Sequence, residues 1–114
     1  MAPGEIHLAN FPFGGSPGMK LRPVLLLTPP VGAVPEVLVA YISSVIPTLL
    51  LPSDILLLDP TLPEHASTHL KVISVLRLHK LATIRGRSVV RRLGKVSPST
   101  FADIANKLRM LLRI

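Results

Sequence analysis

An arginine stands where a glycine-rich segment meets an apolar run. Residues 14–18 read Gly-Gly-Ser-Pro-Gly, and Arg22 and Pro23 come just before 24–27, Val-Leu-Leu-Leu, which reads as the start of a buried strand. A guanidinium donates two parallel hydrogen bonds to phosphate or carboxylate oxygens, and its pKa is too high for it to act as a base at neutral pH. An arginine anchored on a core strand, behind a loop over 12–21 that can close over a ligand, is therefore suited to transient clamping of an anion.

Positive charge is concentrated in the second part of the chain. Residues 1–68 carry two Lys or Arg against five Asp or Glu, whereas residues 69–114 carry eleven against one, which gives net charges of −3 and +10. Such asymmetry indicates a polyanionic partner, either a nucleic acid or an acidic protein segment. The alternative is a solvated basic face that serves solubility.

The densest basic stretch, RGRSVVRRLGK, covers residues 85–95. It is either a solvated hairpin, with Arg85 and Arg87 in the turn, or a stripe that binds phosphates. Strand alternation sends Arg91 and Arg92 to opposite faces, so only some of these charges can follow one nucleic-acid backbone.

Few other side chains could take part in catalysis, bind a metal ion or stack on a base. Cysteine is absent, which excludes disulfides and thiolate metal sites and favours a reducing cytosol. None of the four histidines lies in a catalytic motif; His65 and His69 would need a helix to share a metal ion, and the loop context around Pro63 argues against one. We therefore expect no metal and no cofactor. Phe13 is the best candidate to stack on a nucleic-acid base, and anchoring of its loop is an equal alternative.

The mean hydropathy of +0.52 raises the question of a membrane span. Residues 24–58 contain only two charges, Glu36 and Asp54, but prolines divide them into pieces far shorter than the ~20 apolar residues that a spanning helix needs. The first residues lack a basic region followed by an apolar one, so we expect no signal peptide. We expect a single domain over 1–114 that does not enter the membrane.

Strand-length segments occupy most of the chain. The third of them, 37–44, alternates so that Ser43 and Ser44 fall on opposite faces. Pro23 is compatible with the predicted strand 22–28, because a proline, which has no N–H, is tolerated near the start of a strand. The predicted strands are 5–11, 22–28, 37–44, 54–58, 72–78, 82–84 and 88–96, with a loop over 60–68.

At the C-terminus, the spacing of the apolar residues changes from that of a strand to that of a helix. Ser97 is the predicted N-cap, and Pro98 takes the first helical position, where its missing N–H costs nothing. The predicted architecture is mainly β with α (α+β), a small curled antiparallel sheet with one amphipathic helix. The apolar face of that helix consists of Phe101, Ile104, Ala105, Leu108, Leu111 and Leu112.

These segments, in this order, resemble the MazF/PemK family of toxins from bacterial toxin–antitoxin pairs. The resemblance covers roughly residues 4–112. It is carried by the opening Gly-Glu-Ile strand, the Gly-Ser to Arg-Pro junction and the third strand that ends in a hydroxyl residue. The segments VLRLHKLATI and RRLGKVS and the terminal helix add to it.

The resemblance implies an SH3-like antiparallel barrel of the CcdB/PemK type with a C-terminal amphipathic helix. It further implies a homodimeric, metal-independent endoribonuclease that cuts single-stranded RNA, stops translation and is neutralised by an antitoxin with an acidic tail. The family's active-site arginine and hydroxyl correspond to Arg22 and Ser43. Within that reading we expect Phe13, Lys20, Arg85 and Arg87 to contact RNA.

Two positions depart from the family pattern. Ser43 stands where many relatives have threonine, and Pro17-Gly18 replaces a Glu-Gln pair that many relatives carry after the Gly-Ser of the loop.

Two other functions fit the same fold: a CcdB-like toxin that binds DNA gyrase without cutting RNA, and a non-catalytic nucleic-acid-binding module. The Arg-Pro and serine positions favour the nuclease.

Overall fold

A computed structural model describes residues 1–11, 20–57 and 60–114. It contains one antiparallel sheet with the strand order β4-β5-β3-β2-β1-β6, one α-helix and two short 3-10 helices. The strands are β1 (Glu5–Phe11), β2 (Lys20–Leu26), β3 (Glu36–Ser43), β4 (Asp54–Leu57), β5 (Ser74–Arg85) and β6 (Val89–Lys95). The helix is α1 (Pro98–Leu112), and the 3-10 helices are Pro63–Thr68 and Gly86–Ser88.

Each face of the sheet carries its own buried apolar cluster. Because side chains alternate along a strand, neighbours in β3 separate: Val39 packs on one face and Ala40 on the other. The helix-side core contains Ile6, Leu25, Ala40, Ile42, Leu57, Leu76, Leu78, Val96 and Ile104. The second core contains Ala9, Val24, Leu26, Val37, Val39 and Ile84.

The C-terminal helix begins where the sequence predicts. The Ser97 hydroxyl accepts a hydrogen bond from the Thr100 N–H at 3.2 Å, and Pro98 is the first helical residue. Ile104 is buried in the helix-side core, and Phe101 packs against it. The predicted fold class, mainly β with a C-terminal amphipathic helix, is confirmed. Within the described ranges, no helix is long and apolar enough to cross a membrane.

Three elements differ clearly from the prediction, whereas β3 and β6 differ by one residue at each end. β2 begins two residues earlier, because Lys20 still pairs with Phe11 of β1. Residues 72–84, predicted as two strands, contain one long strand, β5. Its pairing with β3 jumps from Tyr41↔Arg77 to Ala40↔Leu81, so residues 78–80 form a bulge that interrupts the alternating pattern without ending the strand. The predicted loop over 60–68 contains the first 3-10 helix.

Candidate active site

The start of β2 and the end of β3 diverge, and a proline explains why. The Leu27 N–H donates to the Leu38 carbonyl at 2.8 Å, so every second residue toward the start of β2 directs its amide nitrogen to β3. Pro23 is one of these residues and has no N–H to donate. The β2–β3 pairing accordingly begins at Val24↔Tyr41. Arg22 lies just beyond the last paired residue.

Arg22 is held by β1 on its other side. It pairs with Ala9, whose small side chain is fully buried in the second core. The arginine is half-buried, and its Nε atom is buried without a hydrogen-bond partner among the described residues. A buried donor without a partner costs on the order of 1–3 kcal/mol, so an anionic ligand that bonded to it would recover that cost. The position is one that favours ligand binding.

The two serines at the end of β3 differ in their surroundings. Continuing the β2–β3 register by two residues places Ser43 across from Arg22, on the same face of the sheet. Ser43 is 8% exposed, and its hydroxyl accepts from the Val45 N–H at 3.1 Å. Ser44 is exposed and belongs to the opposite face.

A cleft of about 340 Å³ opens where β2 and β3 diverge, and we refer to it as the arginine cleft. Three cationic side chains, Arg22, Lys71 and Arg91, line it together with His69. Two hydroxyls, of Ser44 and Ser74, also line it, and no Asp or Glu does so among the described residues. Its apolar lining consists of Leu8, Leu21, Pro23, Ile42, Leu70, Val72 and Leu93.

The arginine cleft differs from one expectation of the sequence. The alternation of 37–44, which puts Ser43 and Ser44 on opposite faces, leads to the expectation that only one of them shares the site of Arg22. Arg22 instead shares a sheet face with Ser43 and a cleft with Ser44, because it lies at the strand end that borders both. Ser43 is not among the described residues that line the cleft.

The charges on β6 separate as predicted. Arg91 lines the arginine cleft, whereas the Nε atom of Arg92 lies 3.6 Å from a carboxylate oxygen of Glu5. Glu5 also accepts a hydrogen bond at 2.9 Å from His7, and that bond lowers the pKa of the Glu5 carboxyl. Neither Lys71 nor Arg91 forms an ion pair with a described carboxylate. The cations of the cleft are therefore available to a ligand.

The remaining predicted RNA contacts lie elsewhere or outside the description. Lys20 is exposed and shares the face of Arg22, two residues earlier in β2. Arg85 and Arg87 border a separate pocket at the β5–β6 turn, beside Met1, and do not line the arginine cleft. Phe13 and the loop over 12–19 lie outside the described residues.

A second polar cluster, on β4 and β5, was not predicted. The fully buried Asp54 carboxylate accepts hydrogen bonds from Arg77 at 3.0 and 3.3 Å and from the Leu51 N–H at 2.8 Å. Burial, together with the charge of Arg77, lowers the pKa of the nearby His79. This cluster fixes β4 and the segment before it, and none of its members lines the arginine cleft.

Sequence reasoning also missed Lys71 and Ser74 as neighbours of Arg22. Both enter the cleft because the chain from His69 to β5 crosses its rim, and no spacing pattern in HLKVIS marks that crossing. No three His, Asp or Glu side chains gather into a metal-binding group within the residues that the structure describes.

The geometry thus defines a small, curled β-sheet protein with a basic cleft beside an arginine at a strand start. The family model of the PemK-like, MazF-like toxins of type II toxin–antitoxin systems matches residues 2–112, and the chain belongs to this family. None of the curated proteins matches the sequence.

Solved structures share the fold at low sequence identity. Toxin MazF-mt6 of Mycobacterium tuberculosis is 24% identical with a TM-score of 0.72, and the match covers 96% of this chain and 97% of that one. An endoribonuclease in complex with its cognate antitoxin, from a mycobacterial species, is 16% identical with a TM-score of 0.71, over 100% and 96%. MazF in a MazE–MazF structure from Deinococcus radiodurans is 21% identical with a TM-score of 0.68, over 100% and 97%.

Proposed function

We propose that this protein is an endoribonuclease toxin that cuts single-stranded mRNA in the cytoplasm without a metal ion and thereby inhibits translation. The single observation that carries the proposal is Arg22, an arginine with an unpartnered buried donor at the point where β2 and β3 diverge. Membership of the MazF-like toxin family supports it. So do the fold neighbours, one of which is an endoribonuclease bound to its antitoxin.

The chemistry begins with attack of a ribose 2′-oxygen on the adjacent phosphorus. The 2′-OH proton leaves as the new P–O bond forms, and negative charge collects on the equatorial oxygens of the transition state. Arg22 stabilises that charge, because its planar fork donates two hydrogen bonds to two oxygens. The P–O bond to the 5′-oxygen then breaks, and that oxygen takes up a proton from solvent, which balances the proton that the 2′-OH loses to solvent. The products are a 2′,3′-cyclic phosphate on one fragment and a 5′-OH on the other.

Ser43 is the proposed second group at this centre. Its hydroxyl accepts from the Val45 N–H at 3.1 Å and donates to the Val45 carbonyl at 3.3 Å, so it must exchange that long second bond to donate to a phosphate oxygen. Serine lacks the branched methyl of threonine and is freer in χ1, so the Val45 bond supplies part of the restraint that the methyl would provide.

Mapping the cut ends tests the proposal directly. The purified protein should cut a long single-stranded RNA in EDTA, giving 2′,3′-cyclic phosphate and 5′-OH ends at a short recurring sequence. The same RNA with 2′-deoxyribose at the cut position should resist, because the attacking hydroxyl is missing. A requirement for magnesium, or cutting of the deoxy substrate, would overturn the mechanism. Inhibition of DNA gyrase by a protein that leaves RNA intact would favour the CcdB-like alternative.

We expect the toxin to be a homodimer. Several large apolar side chains are more than two-thirds exposed in the single chain, which is unusual unless another surface covers them. Sedimentation velocity at roughly tens of micromolar, a concentration that reveals even weak association, should show a dimer. A monomer at that concentration would contradict the expectation. Within the part of the chain that the structure describes, these side chains are Val45, Leu49, Met110 and Ile114.

The neutralising partner is expected to be an antitoxin with an acidic segment. The +10 charge of residues 69–114 and the exposed Lys20 favour such a segment, and exposed charges attract it over about a Debye length. Binding of the protein encoded beside this gene should weaken at least about tenfold as salt rises from roughly 0.1 M to 0.5 M. A partner without an acidic segment, bound equally well at both salt concentrations, would refute this.

A further inference from the structure

We infer that the arginine cleft binds one nucleotide of the single-stranded RNA beside the reacting phosphate, with Lys71 and Arg91 as its phosphate-binding side chains. The inference rests on the proposed function, since it places this nucleotide next to the phosphate at Arg22. It adds residues that the Arg-Pro and serine pattern does not contain. Lys71 lies before β5 and Arg91 lies on β6, so both are remote from Arg22 in sequence.

The charge of the cleft suits successive phosphates. Arg22, Lys71 and Arg91 line one concavity, and no described Asp or Glu lines it to neutralise them. Lys71 and Arg91 are exposed, and neither forms an ion pair with a described carboxylate. Three cationic side chains without a neutralising partner around one opening attract a single strand of RNA, because such a strand carries one negative phosphate at every nucleotide.

The lining between the cations suits a base and a sugar. The rim cations surround apolar side chains, among them Leu8, Leu21 and Pro23, on which the face of a base can pack. The exposed Ser44 belongs to the same lining, and its hydroxyl can bond to base edges or to the 2′-OH. The hydroxyl of the buried Ser74 already donates to the Val72 carbonyl at 3.0 Å. The volume of about 340 Å³ is at the small end of ligand sites, so the cleft has room for one nucleotide.

An acidic peptide is the other polyanion that the charge would attract, and the observations favour RNA. A peptide carboxylate needs only the cations, whereas the combination of an apolar lining, the Ser44 hydroxyl and the cations matches the base, the sugar and the phosphate of a nucleotide. The cleft also includes Arg22 itself, so the nucleotide it holds would adjoin the reacting phosphate.

Binding of an RNA that cannot be cut tests the inference. The probe is a fluorescein-labelled 2′-O-methyl RNA of random sequence, about 12 nucleotides long, which lacks the attacking hydroxyl. Lys71→Ala and Arg91→Ala should each weaken binding about fivefold to tenfold. Each should also reduce the slope of log K against log salt by about 0.7, the value for one lost phosphate contact. Arg109→Ala is the matched control, because Arg109 is an exposed arginine of α1 outside the cleft, and it should bind as wild type.

The outcomes separate the inference from the proposed function. Wild-type affinity and salt slope in both cleft variants would overturn the inference, while RNA cleavage by the wild-type protein would still support the proposed function. A protein that never cuts RNA but loses RNA binding in both variants would refute the nuclease and support the cleft assignment. Loss of binding to a poly-glutamate peptide, with RNA binding intact, would assign the cleft to an acidic peptide and overturn the inference.

Discussion

Arg22→Ala is expected to lower the rate of RNA cleavage by about a hundredfold to a thousandfold, the usual cost of removing one preorganised donor to a developing oxyanion. The effect should appear mainly in kcat, because the charge that Arg22 stabilises is greatest in the transition state. Single-turnover cleavage of a mapped RNA, with protein in excess, measures it. Cleavage at the wild-type rate would show that the site is misplaced.

One further variant and one further measurement separate this role of Arg22 from its charge and from its place in the fold. Arg22→Lys should restore little activity, since an ammonium does not reproduce the planar fork. Thermal unfolding of Arg22→Ala should occur near the wild-type temperature, because the substitution removes a buried Nε that has no partner among the described residues. A large fall in the melting temperature would instead assign Arg22 a structural role.

The paired serines provide the matched comparison for the second group. Ser43→Ala should lose much of the cleavage rate and Ser43→Thr should retain it, whereas Ser44→Ala should change kcat little. Ser43 shares the sheet face of Arg22, and Ser44 only lines the cleft beside it. The reverse result, with Ser44→Ala inactive and Ser43→Ala active, would make Ser44 the hydroxyl at the reacting centre.

The sequence predicted the fold well because its local signals agree with one another. The apolar alternation of β3 and the Ser97-Pro98 start of α1 are local, and both are present in the structure. β5 was divided incorrectly because His79 and Lys80 break the alternation, whereas the strand accommodates them in a bulge opposite β3. A bulge depends on the partner strand, so one strand's pattern cannot reveal it.

The candidate site was predictable only in part. Arg22 stands out because its Arg-Pro context is local, and the same Pro23 ends the β2–β3 pairing and opens the cleft. Lys71 and Arg91 reach that cleft through the curl of the sheet and the path of the chain before β5. Residues that are distant in sequence come together here, and no periodic pattern in the sequence marks them. The basic composition therefore predicts a polyanionic partner but does not show which cationic side chains lie together.

Gly94 of β6 allows the 3-10 helix Pro63–Thr68, which precedes the segment before β5, to pack closely against β6. A β-carbon at this position would lie only 2.6 Å from the Thr68 carbonyl oxygen and still closer to that of Ser67, well inside any normal contact. The backbone there cannot retreat easily: the Ser67 hydroxyl donates to the Lys95 carbonyl at 2.8 Å, and the buried Thr68 hydroxyl donates to the His65 carbonyl at 2.7 Å. The close approach of the 3-10 helix to β6 therefore requires glycine.

Gly94→Ala should consequently destabilise the fold by about 3 kcal/mol, the upper end for overpacking in a buried site, and lower the melting temperature by roughly 10–20 °C. Gly86→Ala is the matched control, because its β-carbon would meet nothing nearer than 3.5 Å, and it should melt near wild type. Circular dichroism on both variants measures the difference. The 3-10 helix leads directly into His69 and Lys71 of the arginine cleft, so whatever Gly94→Ala protein remains folded should also bind RNA more weakly. Equal melting temperatures for the two variants would show that the 3-10 helix moves away from β6 at little cost.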